Sequence, residues 1–184
     1  ETLELMRSHI TEKDFSNEIW LLEHPPVFTL GTAADNSHIL DPKDIPVVQS
    51  DRGGEVTYHG PGQLVIYFLL DIKKLGCGPN KLVVSIQEFI KELLSDLSIE
   101  SSFIKGAPGV YVNDKKIASI GLRISKNKTY HGVSINFDMD LKPFTYINPC
   151  GYEGLEVTQI KDFNRNISKL QLEELVIEKL RHIF

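Results

Sequence analysis

Two cysteines are the residues of this sequence best suited to nucleophilic chemistry, and both stand in loop-like segments. Cys150 lies between Pro149 and Gly151, and Cys77 lies between two glycines. A cysteine becomes a good nucleophile when a nearby cation favours its thiolate. Most free cysteines are instead buried and inert. The spacing of the residues does not choose between the two cysteines, so both interpretations stay open for each of them.

Lys116 is a candidate acid or base, because it begins a run of small and apolar residues that ends at Arg123. A lysine beside such a run can point inward, and burial lowers the pKa of its amine enough for proton exchange. The alternative is that Lys115 and Lys116 are both solvated residues of a hairpin whose turn covers residues 113–116.

Residues 52–63 contain four glycines and one proline in twelve positions. Backbone with so few side chains can approach a ligand closely. The alternative interpretation is a pair of tight β-turns. The segment matches neither a P-loop nor a dinucleotide-binding glycine fingerprint.

The elements that must position these residues are predicted from hydrophobic periodicity. Short runs of β-branched and aromatic residues predict strands, and apolar residues at helical spacing predict helices. The predicted strands are residues 19–22, 27–30, 64–71, 109–112, 117–120 and 133–138. The predicted helices are residues 80–97, a C-terminal segment opened by a capping box of Ser168 and Gln171, and residues 1–11. This mixture predicts an α+β fold, in which helices pack on one largely antiparallel sheet.

Length and composition exclude several classes of protein. The 184 residues are 41% hydrophobic and carry a net charge of −5, which predicts a single domain over 1–184 and argues against a dedicated nucleic-acid binder. No run reaches the ~20 apolar residues of a membrane span. The two cysteines form no disulfide framework, so we expect a reducing, cytoplasmic location. One segment, 103–142, is basic, with seven lysines and arginines against three aspartates.

Taken in chain order, these segments make the sequence resemble the lipoyl(octanoyl) transferase family over roughly residues 20–160. The matching blocks are 21–31, 51–54, 57–63, 109–112, 116–123, 131–132, Asn136, 140–141, Phe144 and 147–151. The departures are Glu55, where glutamine is common in the family, and Ala118, where cysteine also occurs.

The resemblance implies an acyltransferase that moves an octanoyl group from acyl carrier protein to a lysine of a lipoyl domain. The intermediate in such an enzyme is a thioester on a cysteine. By motif, that cysteine is Cys150 and its partner is Lys116, whereas Cys77 matches no motif and receives no role. His131 is expected to shape the site. The substrate-binding residues implied by the resemblance are Arg52, Gly53, Gly54, Glu55, Val56, Thr57, Tyr58, His59, Ser119, Ile120, Gly121, Gly132, Val133 and Ser134.

The resemblance also implies the partners, and a fold similar to the catalytic domains of biotin and lipoate–protein ligases. The acceptors are expected to be lipoyl domains of 2-oxoacid dehydrogenase E2 subunits and the glycine cleavage H protein. Neither ATP nor a metal is expected, and the protein is expected to be a monomer. Because acyl carrier proteins are acidic, the basic segment predicts their docking surface. The candidate docking residues are Lys105, Lys115, Arg123, Lys126 and Lys128.

Two alternatives belong to other functional classes. An ATP-dependent lipoate or octanoate–protein ligase would share the glycine-rich loop and the lysine hairpin, but it would not need Cys150. A non-catalytic module that binds acylated proteins would leave the cysteine inert.

Overall fold

Nine strands and three α-helices make up residues 1–183, which are the part of the chain that the computed structural model describes. The helices are α1 (Thr2–Thr11), α2 (Pro79–Asp96) and α3 (Lys169–Ile183). The strands are β1 (Glu18–Leu22), β2 (Val27–Leu30), β3 (Val47–Gln49), β4 (Thr57–His59), β5 (Gln63–Leu69), β6 (Ser102–Ile104), β7 (Ala107–Val112), β8 (Lys115–Ser125) and β9 (Lys128–Asn136).

Six of the strands form one antiparallel sheet in the order β1-β5-β9-β8-β7-β6. Helices α2 and α3 cover one face of this sheet through the main hydrophobic core. Helix α1 covers part of the opposite face, where Met6 and Ile10 pack on β5 and β9. The predicted α+β class and the antiparallel sheet with packed helices are therefore confirmed.

Strand β5 is buried on both faces, which explains why its sequence reads as a continuous apolar run rather than an alternating one. Leu64, Ile66 and Phe68 face the main core, whereas Val65 and Tyr67 face the side covered by α1. The strand therefore supplies side chains to two different environments.

A second, three-stranded sheet in the order β3-β2-β4 was not predicted. It includes a parallel pair, β2 with β3, and an antiparallel pair, β2 with β4. Its strands are only three or four residues long, and β4 lies inside the glycine-rich segment 52–63. Phe28 and Tyr58 pack from one face of this sheet into a separate core with Phe144. The other face turns toward the main sheet.

The predicted helices all form. The capping box that begins α3 is present, because the Gln171 N–H donates to Ser168 Oγ and the Ser168 N–H donates to Gln171 Oε1. The predicted hairpin between β7 and β8 also forms, but its turn is shorter than expected. Only Asn113 and Asp114 have positive φ (50° and 62°), as in a two-residue type I′ turn. Lys116 therefore belongs to strand β8 and not to the turn.

Gly132 shows how tightly the main sheet is packed beside the second sheet. A Cβ at this position would lie 2.0 Å from the Ile66 carbonyl oxygen. We predict that Gly132→Ala lowers the free energy of unfolding by about 3 kcal/mol or more, because backbone in the centre of the sheet has to move. Chemical denaturation measures the change. Gly78→Ala is the control, since a Cβ there meets open space, and a similar loss in both variants would contradict this explanation.

Candidate active site

A cavity of about 730 Å³ lies between the main sheet and the second sheet, with α1 at one side. Strands β5, β8 and β9 contribute one wall, and β2, β4 and the loop before β4 contribute the other. Both Cys150 and Lys116 line it. Two sheets and a loop thus enclose the residues that the sequence singled out for chemistry.

Cys150 is held in a strained conformation at the edge of the cavity. It lies in a 3₁₀ turn, Pro149–Gly151, with φ of 58°, a left-handed conformation that is uncommon for residues other than glycine. Its N–H donates to the Val56 carbonyl oxygen over 3.1 Å, and the Gly151 N–H donates to Asn148. These bonds tie the cysteine to the loop that leads into β4 and leave its half-buried thiol facing the cavity.

Lys116 is aimed at the cavity by an irregularity in the sheet. Val110 of β7 pairs with Ala118, but the next residue, Tyr111, pairs with Lys116. The extra residue, Ile117, makes a β-bulge, and a bulge redirects the side chains beside it.

The path of the Lys116 side chain also depends on a glycine. Gly109 has φ of 144°, and a Cβ there would lie 3.1 Å from Lys116 Cε and 2.6 Å from the Ala118 carbonyl oxygen. A side chain at Gly109 would therefore crowd the lysine. The backbone of Lys116 is fixed in addition by the segment 156–158, which bonds to both its N–H and its C=O.

The Lys116 ammonium lies 3.0 Å from Cys150 Sγ and 3.2 Å from the Pro108 carbonyl oxygen. Only 2% of the lysine is exposed. Burial works against its charge, but the Coulombic attraction of Cys150 and the hydrogen bond to it outweigh burial, so the pKa of Lys116 is raised above its usual value. The expectation that an inward-pointing lysine would have a lowered pKa is wrong here, because the Coulombic and hydrogen-bonding interactions with Cys150 oppose the effect of burial.

Most of the substrate-binding residues expected from the resemblance line the same cavity. They are Arg52, Gly54, Glu55, Val56, Thr57, His59, Ser119, Ile120, Gly121, Gly132, Val133 and Ser134, and His131 joins them. Gly53 and Tyr58 do not line it. The Gly53 N–H donates to the Leu122 carbonyl oxygen, and Tyr58 points into the second core because side chains alternate along β4. These two residues therefore lie away from the cavity that the other expected residues line.

Arg52 is a buried cation that is hydrogen-bonded to neutral groups. Its guanidinium donates to the Thr29 carbonyl oxygen over 2.6 Å, to the Thr29 hydroxyl and to the Gly53 carbonyl oxygen. Burial lowers its pKa to about 10, so it remains charged at neutral pH. Thr57, which pairs with Thr29 across the second sheet, has a buried hydroxyl without a hydrogen-bond partner among residues 1–183.

His59 is buried and neutral. Its Nδ1 lies 2.7 Å from Gln63 Oε1, and the Gln63 amide also donates to the Asn136 side chain. Burial lowers the pKa of His59 to about 3. The histidine is therefore uncharged across the physiological pH range and orders the polar network beneath the cavity.

His131 connects the cavity wall to α1. It has φ of 60° inside β9, which lets it stack on its neighbour Tyr130 with ring centroids 5.0 Å apart. His131 Nε2 and the Tyr130 hydroxyl both bind Asp51, and Arg7 of α1 pairs with the same carboxylate over 2.8 Å. Although burial opposes ionisation of Asp51, these hydrogen bonds hold its pKa below the usual range.

Sequence reasoning missed several residues that line the cavity, among them His24, Thr29, His38, Val65 and Tyr67. Alternation along β5 was the available signal, since Val65 and Tyr67 share one face. His24 belongs to the matching block 21–31, but the sequence analysis assigned no role to it. It lies at the end of β1, and its Nε2 is 2.6 Å from the Tyr67 hydroxyl.

Within residues 1–183, no cluster of three or more histidine, cysteine, aspartate or glutamate side chains is arranged to hold a metal ion. No helix in this range is long and apolar enough to cross a membrane.

The site is a buried lysine in contact with a loop cysteine, in a cavity between two sheets. Such a pair is suited to acyl transfer through a thiol. Residues 2–181 match the family model described as the lipoyl protein ligase A/B catalytic domain. An octanoyltransferase of Hahella chejuensis is 54% identical over 157 residues, which are 85% of this chain and 70% of that protein.

Solved structures agree on the fold. The bipartite lipoate protein ligase of Thermoplasma acidophilum aligns with a TM-score of 0.69 at 14% identity, covering 98% of this chain and 78% of that one. The biotin protein ligase of Aquifex aeolicus aligns with a TM-score of 0.53 at 16% identity, covering 88% of this chain and 69% of that one.

The family model and the similar octanoyltransferases show that the chain belongs to the lipoyl protein ligase A/B catalytic-domain family and, within it, to the octanoyltransferases, which are acyltransferases. The resemblance noted in the sequence is confirmed.

Burial of His59 predicts a specific dependence of stability on pH. Below pH 6.5 the unfolded chain protonates this histidine, whereas the folded chain does not until about pH 3. The free energy of unfolding should therefore fall as pH drops below 6.5, by about 1.4 kcal/mol per pH unit from His59. Urea unfolding at pH 7.0, 6.0 and 5.0 measures this slope. His59→Asn should flatten it by that amount and His182→Asn, at an exposed position, should not; equal slopes in all three proteins would contradict the assignment.

Proposed function

We propose that this protein transfers an octanoyl group from acyl carrier protein to the acceptor lysine of lipoyl domains, through a thioester on Cys150. The observation that carries the proposal is the 3.0 Å contact between Lys116 Nζ and Cys150 Sγ at the edge of the cavity. The octanoyltransferase names of relatives about half identical to this chain support the acyl group and the reaction class.

The first half-reaction forms the acyl-enzyme. The Cys150 thiolate attacks the carbonyl carbon of the octanoyl thioester, and the bond from that carbon to the carrier's sulfur breaks. The departing thiolate takes a proton from the Lys116 ammonium and leaves as a thiol. One thioester replaces another, so this exchange is close to isoenergetic and needs no ATP.

The second half-reaction returns the enzyme to its starting state. The amine of the acceptor lysine attacks the Cys150 thioester, the carbon–sulfur bond breaks, and an amide forms. The neutral Lys116 amine accepts the proton that the attacking nitrogen releases, while Cys150 leaves as a thiolate. The ammonium–thiolate pair is then restored, and formation of an amide from a thioester runs downhill.

The surroundings of Lys116 support its use as acid first and base second. The attraction to Cys150 is what holds the charge on the buried ammonium. Acylation removes the negative charge from the sulfur and with it the attraction to Cys150, so burial then shifts the amine toward its neutral form more strongly than before. The lysine thus gives up its proton when the acyl-enzyme forms and takes one when the acyl group departs.

The opening beside Cys150 suggests where the carrier protein docks. Of the candidate basic residues, Lys105 is exposed and precedes Gly106, which lines the cavity. Lys128 donates to the Ile10 carbonyl oxygen and lies over the Phe15 ring, and Lys115 pairs with Glu156. Lys105 therefore lies beside the cavity lining, where its charge would attract an acidic donor.

Incubation with octanoyl–carrier protein, without ATP, should add a single octanoyl group that maps to Cys150. Intact-mass measurement followed by peptide mapping detects it. Cys150→Ser should lose the adduct, and Cys77→Ser should retain it. The ATP-dependent ligase alternative is supported instead if the protein stays unmodified but consumes ATP with free octanoate. Lys105→Glu should slow the reaction with carrier protein but not with octanoyl-pantetheine, which carries no acidic domain.

Lys116→Ala should slow acylation of Cys150 by about 100-fold while the fold is retained, because proton transfer to the leaving thiol contributes about 10²–10⁴ in rate. The alkylation rate of Cys150 by iodoacetamide near pH 7 should fall as well, since the ammonium no longer favours the thiolate. Lys115→Ala is the matched control, as the neighbouring lysine is half-exposed and paired with Glu156. Equal rates in the two variants would remove the role assigned to Lys116.

A further inference from the structure

The side chains of the main sheet that line the cavity are arranged in two successive rows. Strand register places Ser119, Ser134 and Val65 side by side in the first row. The second row consists of Gly121, Gly132 and Tyr67. Residues two apart on a strand are about 7 Å apart, so the second row lies that much further along β8 from Lys116.

The main-sheet wall of the cavity is mostly buried, whereas residues beside Cys150 are exposed, as is Pro25 next to His24. Beside Cys150, the lining residues Pro108 and Tyr152 are exposed, Tyr152 by 48%. Along the rows the lining becomes buried, with Val65 at 0% and Tyr67 at 8% exposure. A substrate that enters beside Cys150 therefore extends its chain along the first row and toward the second.

At the second row, polar groups lie beside the apolar side chains of Leu3 and Met6. The Tyr67 hydroxyl is 2.6 Å from His24 Nε2, and the His24 ring lies 5.7 Å from that of His59. Burial raises the pKa of Tyr67 to about 12 and lowers that of His24. The pair is therefore an uncharged hydrogen bond across the path of an apolar chain.

We infer that the hydrogen-bonded pair His24–Tyr67 sets the length of the acyl chain that this enzyme accepts, by forming the end wall of the acyl channel. This inference rests on the proposed function, since it takes Cys150 as the point of attachment. The seven carbon–carbon bonds of an octanoyl chain span about 9 Å when extended. A chain of this length exceeds the distance of about 7 Å between the two rows, so it can extend from the first row to the second.

Chain length then has an optimum for two physical reasons. A shorter chain buries fewer methylenes, and two fewer account for about a tenfold loss. A longer chain has to displace the His24 ring from the Tyr67 hydroxyl, which leaves a buried polar group unpaired. The wall therefore disfavours longer chains both because they would clash with the His24 ring and because they would break its hydrogen bond to Tyr67.

The test is the rate of Cys150 acylation with hexanoyl, octanoyl, decanoyl and dodecanoyl thioesters of the carrier protein, followed by intact mass. The native chain should peak at octanoyl. His24→Ala opens the wall and should raise the decanoyl-to-octanoyl rate ratio about tenfold. Tyr67→Phe keeps the ring but frees His24, and should raise the ratio by a smaller factor. His38→Ala is the matched control, because this lining histidine lies beside Gly151 at the Cys150 end, and its ratio should match the native value.

Thermal unfolding of each variant establishes that it is folded before its rates are compared. An unchanged ratio in folded His24→Ala and Tyr67→Phe, with a normal octanoyl adduct on the native protein, overturns the inference and leaves the proposed function intact. A ratio that rises equally in His38→Ala also overturns it. Failure of the native chain to form any adduct on Cys150 overturns the proposed function itself.

Discussion

The charge on Lys116 is the constraint on which the rest of the site depends. A lysine that is 2% exposed keeps its ammonium only if nearby groups replace the water that it has lost. Three groups do so: Cys150 Sγ, the Pro108 carbonyl oxygen, and the face of Tyr111, whose ring centroid is 5.2 Å away. They come from the 147–151 loop and from strand β7. The lysine thus holds together parts of the chain that are distant in sequence.

Two residues that line the cavity have strained backbone. Cys150 and His131 both have left-handed φ values, 58° and 60°, which cost free energy in residues other than glycine. Cys150 is held there by its bond to Val56, and His131 by its bond to Asp51. The first bond presents the Cys150 thiol to the cavity, and the second joins the cavity wall to α1. Each strained residue is therefore fixed by a hydrogen bond that serves the geometry of the site.

The sequence predicted the long, strongly periodic elements well, because burial imposes the period. Helix α2 was found within a few residues for this reason, whereas β5 was found because burial on both faces makes it a continuous apolar run. Strand β3 was missed because all three of its residues are exposed and carry no alternation, and β4 was hidden inside glycine-rich sequence. Family motifs predicted that Cys150 and Lys116 are partners. The bulge at Ile117 that turns the lysine inward, however, depends on the pairing of β8 with β7. Such pairing leaves no trace in a single sequence. The motif that includes Tyr58 identifies neighbouring residues but does not say which face of a strand each one occupies. Tyr58 lies on the face of β4 that points into the second core.

The same burial that destabilises the Lys116 ammonium keeps the buried histidines and Tyr67 of the cavity uncharged. His59 and His24 lose their charge on burial, and Tyr67 keeps its proton. Arg52 keeps its charge, but it donates to neutral oxygens and stays protonated throughout the physiological range. Few of these groups can therefore donate or accept the proton that moves in the proposed acyl transfer. Lys116 and Cys150 are in contact, so a change of charge on one group directly alters the stability of charge on the other. The proposed mechanism uses this coupling, with one lysine acting first as acid and then as base.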